Sequence, residues 1–143
     1  MDASKLENFD FELVSPERKL MSQKAWQVTI PGYEGDFGVR AGHASLVSSI
    51  RQGVVEIKEQ ENAAPIHIFI AGGFADVTAT NCTILAEEAI MVSDLNATDI
   101  EKEITEAQAK LSASQNGIEK NRYQNQINLL NEKLVAITNA SAA

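Results

Sequence analysis

The chain has 143 residues, of which 44% are hydrophobic and 22% charged, and its formal net charge is −8. This length fits one domain, or one small domain with an appendage, and disfavours an enzyme with separate cofactor and substrate lobes. A chain this acidic is repelled by nucleic-acid phosphates. A single cysteine cannot form an internal disulfide, and one cysteine with two histidines is too few ligands for a zinc site built from Cys and His alone.

Residues 1–7 are mixed and acidic, and we expect a flexible tail there. The start has neither the basic and apolar regions of a secretory signal nor the Arg-rich pattern of a mitochondrial one. The most apolar stretch, 66–75, is far shorter than the roughly 20 residues needed to cross a bilayer. Direct membrane insertion is therefore not expected, and the cysteine usage fits a reducing, cytosolic compartment.

Period-two alternation of apolar and polar residues recurs through the first two thirds of the chain. The apolar positions that carry it are Phe9, Phe11, Leu13, Trp26, Val28, Ile30, Val55, Ile57, Ile66, Ile68, Ile70, Val77, Ala79, Cys82, Ile84 and Ala86. All three prolines and seven of the eight glycines lie in the same part of the chain. Short strands at spacings of about 8–12 residues predict an all-β sandwich or barrel over residues 1–95.

Residues 96–143 carry a helical pattern instead. Thr98, followed three residues later by Glu101, forms a candidate capping box and predicts a first helix over about 98–113. After a break at 115–117, a second helix is predicted over about 117–138. Steps of three and four residues give each helix one narrow apolar seam, and the short connection makes the pair an antiparallel hairpin. The seam consists of Ile100, Ile104, Ala107, Leu111, Tyr123, Ile127, Leu130, Leu134 and Ile137. Because this seam buries little surface, we expect the hairpin to need the sandwich or a partner for support.

The glycine-rich run 32–43 superficially resembles a phosphate-binding loop. It lacks the Gly-Lys-Ser/Thr ending of a P-loop, and Glu34 and Asp36 lie where an anion would have to bind. Two interpretations stay open. The glycines provide turns with positive φ between short strands, or the run is an exposed acidic loop that meets a partner.

The sequence offers no convincing catalytic constellation. Glu87 and Glu88 are adjacent, so on a strand their side chains point to opposite faces. Neither His43 nor His67 stands beside a nucleophile motif, and Cys82 has the position of a small core residue. The residues therefore predict a binding or structural protein with a rigid β body and a mobile helical arm.

Six segments stand in a distinctive order: 13–17 (LVSPE), 28–32 (VTIPG), 34–39 (EGDFGV), 42–44 (GHA), 71–77 (AGGFADV) and 83–89 (TILAEEA). In this order, followed by a helical hairpin, they resemble the epsilon subunits of F-type ATP synthases, called delta in mitochondria. The resemblance covers nearly the whole chain from Phe9 on.

The resemblance implies a ten-stranded β-sandwich followed by the two-helix hairpin, at the foot of the central stalk. It implies a non-catalytic rotor subunit that couples the c-ring to gamma for proton-driven ATP synthesis. Its partners would be gamma and the c-ring, joined by the alpha and beta catalytic subunits if the hairpin extends. A peripheral position on the cytoplasmic face of a bacterial inner membrane follows, because no transit peptide precedes the body.

The resemblance also implies a partner-binding loop. In the family, a loop of the form Glu-Gly-acid-x-Gly faces the polar loops of the c-ring. The corresponding residues here are Glu34, Gly35, Asp36 and Gly38, with Gly42 and His43 nearby. An acidic loop of this kind can bind basic and polar groups over a modest area.

Some family members bind ATP at the folded hairpin through a motif of the form Ile/Leu-Asp-x-x-Arg-Ala. The corresponding segment here is 95–100, in which Asn96 replaces the acid, Asp99 the arginine and Ile100 the alanine. A carboxylate in place of the cation that neutralises phosphate reverses the local electrostatics. Binding of ATP, or of any other cofactor, is therefore not expected.

An inhibitory or ATP-sensing switch that acts through the hairpin is the alternative function. In many bacterial members the hairpin extends along gamma and stops rotation in the hydrolytic direction. The second helix here offers only Lys120, Arg122 and Lys133 to acidic partner surfaces.

Overall fold

The structure is a computed structural model that describes residues 7–142 of the chain. The flexible tail expected at 1–7 lies outside these residues, apart from Glu7. The strands are β1 (Phe9–Val14), β2 (Lys19–Ala25), β3 (Gln27–Gly32), β4 (Gly35–Val39), β5 (Leu46–Ile50), β6 (Gly53–Lys58), β7 (Ile66–Ile70), β8 (Gly73–Val77), β9 (Asn81–Ala86) and β10 (Ala89–Met91). A 3₁₀ turn (Val92–Asp94) leads to the helices α1 (Ala97–Ala113) and α2 (Gly117–Ala142).

This sequence of elements confirms the predicted fold class, a ten-stranded β-sandwich followed by two helices. The chain divides into two compact units between Ile90 and Met91, a few residues before the boundary predicted at 95. The difference arises because the 3₁₀ turn groups with the helices, since α2 packs against it as well as against α1.

The strands are connected in the order β10-β7-β6-β3-β5-β8-β9-β1-β2, and β4 pairs with β3 beside this path. β1 is antiparallel to β2 and parallel to β9, with Asp10 opposite Asn81. β5, β8 and β9 are antiparallel neighbours. The first strand is thus held against one of the last.

Alternate residues of the strands form the core of the sandwich, as the period-two pattern predicts. The largest fully buried side chains are Phe11, Phe69, Leu13, Ile30, Ile50, Ile57, Ile70, Ile84, Val28, Val39, Val55 and Val77. Burial of each contributes about 1.5–3 kcal/mol relative to exposure. The core is therefore the main source of stability for this unit.

The seam predicted for the hairpin is partly buried. Ile100, Ala107, Ile127 and Leu130 are buried, whereas Ile104, Leu111, Tyr123, Leu134 and Ile137 are half-buried. Ala136, which the seam pattern misses, is also buried. α2 continues past its predicted end at 138, because no glycine or proline follows to end it.

The predicted capping box at Thr98 is wrong. The residue that caps α1 is Asn96, whose Oδ1 accepts a hydrogen bond of 3.1 Å from the Asp99 N–H. At α2 the Oδ1 of Asn116 likewise accepts from the Glu119 N–H at 2.8 Å. Each helix therefore begins directly after an asparagine. An acidic residue follows three positions later, and its negative charge interacts favourably with the positive N-terminal end of the helix.

The capping assignment predicts different effects for two neighbouring alanine substitutions. Asn96→Ala removes the acceptor for an otherwise unpaired N–H and is expected to destabilise the helical unit by about 1 kcal/mol. Thr98→Ala is expected to change stability by less than about 0.5 kcal/mol, because Thr98 is exposed inside the first turn. Urea unfolding followed by circular dichroism at 222 nm measures both. Equal losses for the two variants would contradict the assignment.

Candidate partner-binding surfaces

The β3–β4 hairpin ends in a tight two-residue turn, Tyr33 and Glu34, because Gly32 pairs directly with Gly35. We call residues 33–36 the acidic tip. Gly35 has φ +129°, a conformation that side-chain-bearing residues rarely adopt. A Cβ on Gly32 would lie 2.8 Å from the Gly35 carbonyl oxygen and 3.0 Å from the Phe37 ring. Glycines at these two positions are thus required by a narrow turn, and both turn side chains are exposed.

Asp36 of the acidic tip forms an ion pair with Arg51, whose Nη2 contacts the Asp36 Oδ1. Arg51 lies in the turn between β5 and β6, and its main-chain N–H donates to the Pro31 carbonyl at 3.0 Å. Glu34 makes no ion pair with any residue that the structure describes. The two carboxylates of the tip therefore differ in their surroundings.

The other residues of the predicted loop lie at the opposite end of β4. Strand β4 spans about 13 Å at roughly 3.3 Å per residue, which separates the acidic tip from Gly42 and His43. Gly42 has φ +85°, and its N–H donates to the Ala79 carbonyl at 2.8 Å. The Nδ1 of His43 lies 2.7 Å from the Ala44 carbonyl oxygen. Residues 34–36 therefore lie together at the tip. Gly38 lies further along β4, toward the end of the strand that leads to Gly42 and His43.

An aromatic contact holds the base of β4. The guanidinium carbon of Arg40 lies 3.6 Å from the centre of the Trp26 ring, a cation–π geometry. Trp26 is the single tryptophan of the chain. Its fluorescence is therefore a built-in reporter of the segment around residue 40.

A second exposed surface, which sequence reasoning missed, crosses the outer face of the sheet. Val47, Phe74 and Leu85 project from β5, β8 and β9 and are 70%, 55% and 48% exposed. The register places Phe74 opposite Leu85, and Val47 opposite Asp76 on the same outer face. We call these three residues the apolar row. Adjacent exposed apolar side chains on neighbouring strands are typical of a protein interface.

The side chains considered for catalysis are not brought together. His67 lies opposite Glu56 on the neighbouring strand, with its Nε2 3.6 Å from a Glu56 carboxylate oxygen. Glu87 and Glu88 lie in the exposed turn between β9 and β10. Within the described residues, no group of three or more His, Cys, Asp or Glu side chains could hold a metal ion. Neither α1 nor α2 combines the length and hydropathy that a membrane-crossing helix needs.

Cys82 is a fully buried core residue, as predicted. Burial, with a smaller contribution from the Asp76 carboxylate, raises the pKa of its thiol from 9.0 to about 12. The thiolate, which is the nucleophilic form, is therefore scarce at neutral pH.

This raised pKa predicts an alkaline loss of stability. The thiol stays protonated in the folded state, whereas in the unfolded chain it ionises above pH 9, so its stabilising contribution is complete below pH 9 and declines between pH 9 and 12. At about 1.4 kcal/mol per pH unit, the native chain should lose about 2 kcal/mol more than Cys82→Ala between pH 9 and 10.5. Urea unfolding at both pH values measures this difference. Parallel pH profiles of the two proteins would contradict the prediction.

The chain is similar to known proteins over most of its length. The family model described as "ATP synthase, Delta/Epsilon chain, beta-sandwich domain" matches residues 8–92. The ATP synthase epsilon chain of Parvibaculum lavamentivorans is 44% identical over 110 residues, which make up 77% of this chain and 83% of that protein. The ATP synthase epsilon chain of Rhodospirillum centenum is 37% identical over 141 residues, 96% of this chain and 97% of that protein.

Two solved structures share the fold. A chain in the cryo-EM structure of Euglena gracilis mitochondrial ATP synthase, OSCP/F1/c-ring, has a TM-score of 0.79 at 22% identity and covers 92% of this chain and 82% of its own length. A chain in the central stalk/c-ring structure of Tetrahymena thermophila mitochondrial ATP synthase has a TM-score of 0.63 at 14% identity. The match covers 90% of this chain and 96% of that one. At these identities the likeness is one of fold.

Proposed function

Since the chain belongs to the delta/epsilon family of ATP synthase subunits, we propose that it is a rotor subunit of the central stalk that couples the c-ring to gamma. It carries no catalytic residue of its own, and it acts in proton-driven ATP synthesis as a peripheral subunit on the cytoplasmic face of a bacterial inner membrane. The observation that carries the proposal is the presence of two neighbouring exposed surfaces of different chemistry, the acidic tip and the apolar row, on one closely packed body.

The acidic tip is the surface that we assign to the c-ring. Glu34, Gly35 and Asp36 form a narrow protrusion whose negative charge suits the basic and polar groups of a loop. Gly38, Gly42 and His43 belong to the same assignment but lie toward the base of β4, so they contact the ring only if its loops reach along the whole strand. Tyr33 adds an exposed aromatic side chain that sequence reasoning did not single out.

The apolar row is the surface that we assign to gamma. Val47, Phe74 and Leu85 offer neighbouring apolar area, and burial of apolar surface is the dominant favourable term in most protein–protein association. Asp76 lies on the same outer face and adds a negative charge at the margin. The complementary gamma surface would therefore be apolar at its centre, with basic groups at its edge.

A coupling subunit must transmit force between these two surfaces without deforming. Protein cores are packed as densely as organic crystals and compress little. The buried side chains of the sandwich meet this requirement, because they join β3, β5, β8 and β9, the strands that carry or adjoin both surfaces.

Co-purification with the cognate gamma subunit tests the proposal. The full chain and gamma are mixed at physiological salt and separated by size-exclusion chromatography, and co-elution is the expected result. Elution of the two proteins as separate peaks would lead us to abandon the assignment.

An inhibitory switch is a second candidate function, because the narrow apolar seam gives the hairpin little support of its own. Deletion of residues 96–143 in the assembled enzyme distinguishes the two. Unchanged ATP hydrolysis supports a purely coupling role, whereas a rise in hydrolysis would show that the hairpin inhibits.

For the ATP-sensing form of the switch we predict a negative result. Asn96 is engaged as the cap of α1, and the Asp99 carboxylate takes the place of a phosphate-binding arginine. Titration calorimetry of the full chain with millimolar ATP is expected to give no heat beyond dilution. As a matched variant, Asp99→Arg removes the repulsive charge. Saturable heat with the native chain would contradict our interpretation of Asp99.

A further inference from the structure

We propose that Arg51 is a positioning residue that holds the acidic tip against the body of the sandwich. In this arrangement the Asp36 carboxylate pairs with Arg51 of the same subunit, and the Glu34 carboxylate contacts the partner. The part of the proposal that concerns the partner rests on the proposed function, in which the tip meets the c-ring.

The hairpin that carries the tip has a weak attachment. β4 pairs with β3 alone, so one of its edges has no neighbouring strand among the described residues. At the level of Asp36, its partner on β3 is Pro31. The Pro31 carbonyl accepts from the Arg51 N–H on the side of β5, so Pro31 and Asp36 form a non-hydrogen-bonded pair of the ladder. At this level β4 is joined to its neighbours only through side-chain contacts.

Arg51 supplies such a contact. Its main chain bonds to Pro31 on one side of β3, and its guanidinium reaches Asp36, which pairs with Pro31 on the other side. The side chain thus crosses β3 and ties β4 to the turn between β5 and β6. A charge-assisted hydrogen bond from a guanidinium to a carboxylate is directional and about twice as strong as a neutral one.

Gly53 leaves the space that this crossing needs. A Cβ on Gly53 would lie 3.2 Å from the Arg51 Nη1 and 3.2 Å from the Pro31 Cβ. The guanidinium and the proline ring therefore both lie over the bare main chain of Gly53. A side chain at position 53 would have to displace one of these two groups.

The charges of the tip follow from this arrangement. Asp36 and Arg51 compensate each other, whereas Glu34 has no ion-pair partner among the described residues. Glu34 also occupies the turn itself, the most protruding position of the hairpin. A partner with basic groups would therefore contact Glu34 directly and depend on Asp36 only through the position of the hairpin.

Hydrogen exchange of the isolated full chain tests the positioning role without any partner. In Arg51→Gln, exchange of the β4 main chain, residues 35–39, is expected to be about two- to fivefold faster. Arg18→Gln, at an exposed arginine in the β1–β2 turn, is the matched control and should leave β4 unchanged. Unchanged exchange of β4 in Arg51→Gln would overturn the proposal.

Affinity of the gamma complex for purified c-ring tests the role of each charge. Asp36→Asn and Arg51→Gln are each expected to weaken binding by about two- to fivefold, and the double variant no further, because both remove one ion pair. Glu34→Gln should weaken binding without changing exchange in β4. If the losses from Asp36→Asn and Arg51→Gln multiply in the double variant, the two residues act independently and the proposal fails.

A charge-exchanged pair gives the decisive comparison. Asp36→Arg combined with Arg51→Asp should restore both β4 protection and c-ring affinity. Restored protection with affinity still reduced would show that the Asp36 carboxylate contacts the ring, which overturns the proposal. Absence of c-ring binding by the native complex would instead contradict the proposed function, and the exchange measurements would still decide the role of Arg51.

Discussion

Replacement of Gly73 with alanine is expected to prevent the sandwich from folding, at a cost above about 4 kcal/mol. A Cβ at this position would lie 2.0 Å from the Leu85 carbonyl oxygen and 3.0 Å from the Ala86 Cα. Both are main-chain atoms of β9, the strand paired with β8, so they cannot move aside without breaking the ladder. Gly73 also has φ +146°, which adds backbone strain to the overlap.

Circular dichroism and urea unfolding of purified Gly73→Ala measure this effect. Gly117→Ala is the matched control, because nothing lies within 4 Å of a Cβ there and the residue opens α2. This control should leave stability unchanged or raise it by up to about 1 kcal/mol. A folded Gly73→Ala variant with native stability would show that β8 and β9 are not as closely paired as described.

Phe74→Asp is expected to weaken binding to gamma at least about 100-fold, while the sandwich stays folded. Phe74 is the central residue of the apolar row, between Val47 and Leu85 on neighbouring strands. A hot-spot residue at the centre of an interface costs about 2–4 kcal/mol when truncated, and a carboxylate there would be buried without a partner. Because Phe74 is 55% exposed in the isolated chain, the substitution removes little core packing.

Surface plasmon resonance with immobilised gamma measures this loss. Asn62→Asp adds the same charge at an exposed position between β6 and β7, away from the apolar row, and should bind like the native chain. Native affinity of Phe74→Asp would move the gamma contact to another face of the sandwich. Thermal unfolding of both variants shows whether a loss of binding is separate from a loss of folding.

Local pattern predicted some elements of this fold and not others: the alternating positions fall in β1, β3, β6, β7, β8 and β9, whereas β2, β4, β5 and β10 contain none. Alternation with a period of two marks strands with one buried face, and steps of three and four mark the helical seam, so both are visible in short stretches of sequence. The predicted cap, Thr98, lies only two positions from Asn96, which caps α1 in the structure. Both residue types are favoured at the start of a helix, so the sequence does not fix the position of the cap to within one turn.

The proposed partner-binding surfaces were harder to predict because they depend on register. Val47 and Phe74 are far apart in sequence, and only the pairing of β5 with β8 places them on one face. Conversely, Asp36 and His43 are close in sequence, yet the extended β4 carries them apart. The ion pair between Asp36 and Arg51 had no sequence signal, because it depends on how the start of β4 and the β5–β6 turn meet across β3.

The parallel pairing of β1 with β9 has a consequence for how the chain is made. The partner of Asp10 is Asn81, so the first strand leaves the ribosome well before the strand that completes its pairing. Synthesis of the intervening segment takes several seconds at about 5–20 residues per second. During that interval the β1–β2 hairpin can bury its apolar side only transiently, since an isolated hairpin is marginally stable in water. The nascent chain is therefore most exposed to aggregation before residue 86 emerges, and chaperone binding to arrested nascent chains should fall sharply once β9 is released.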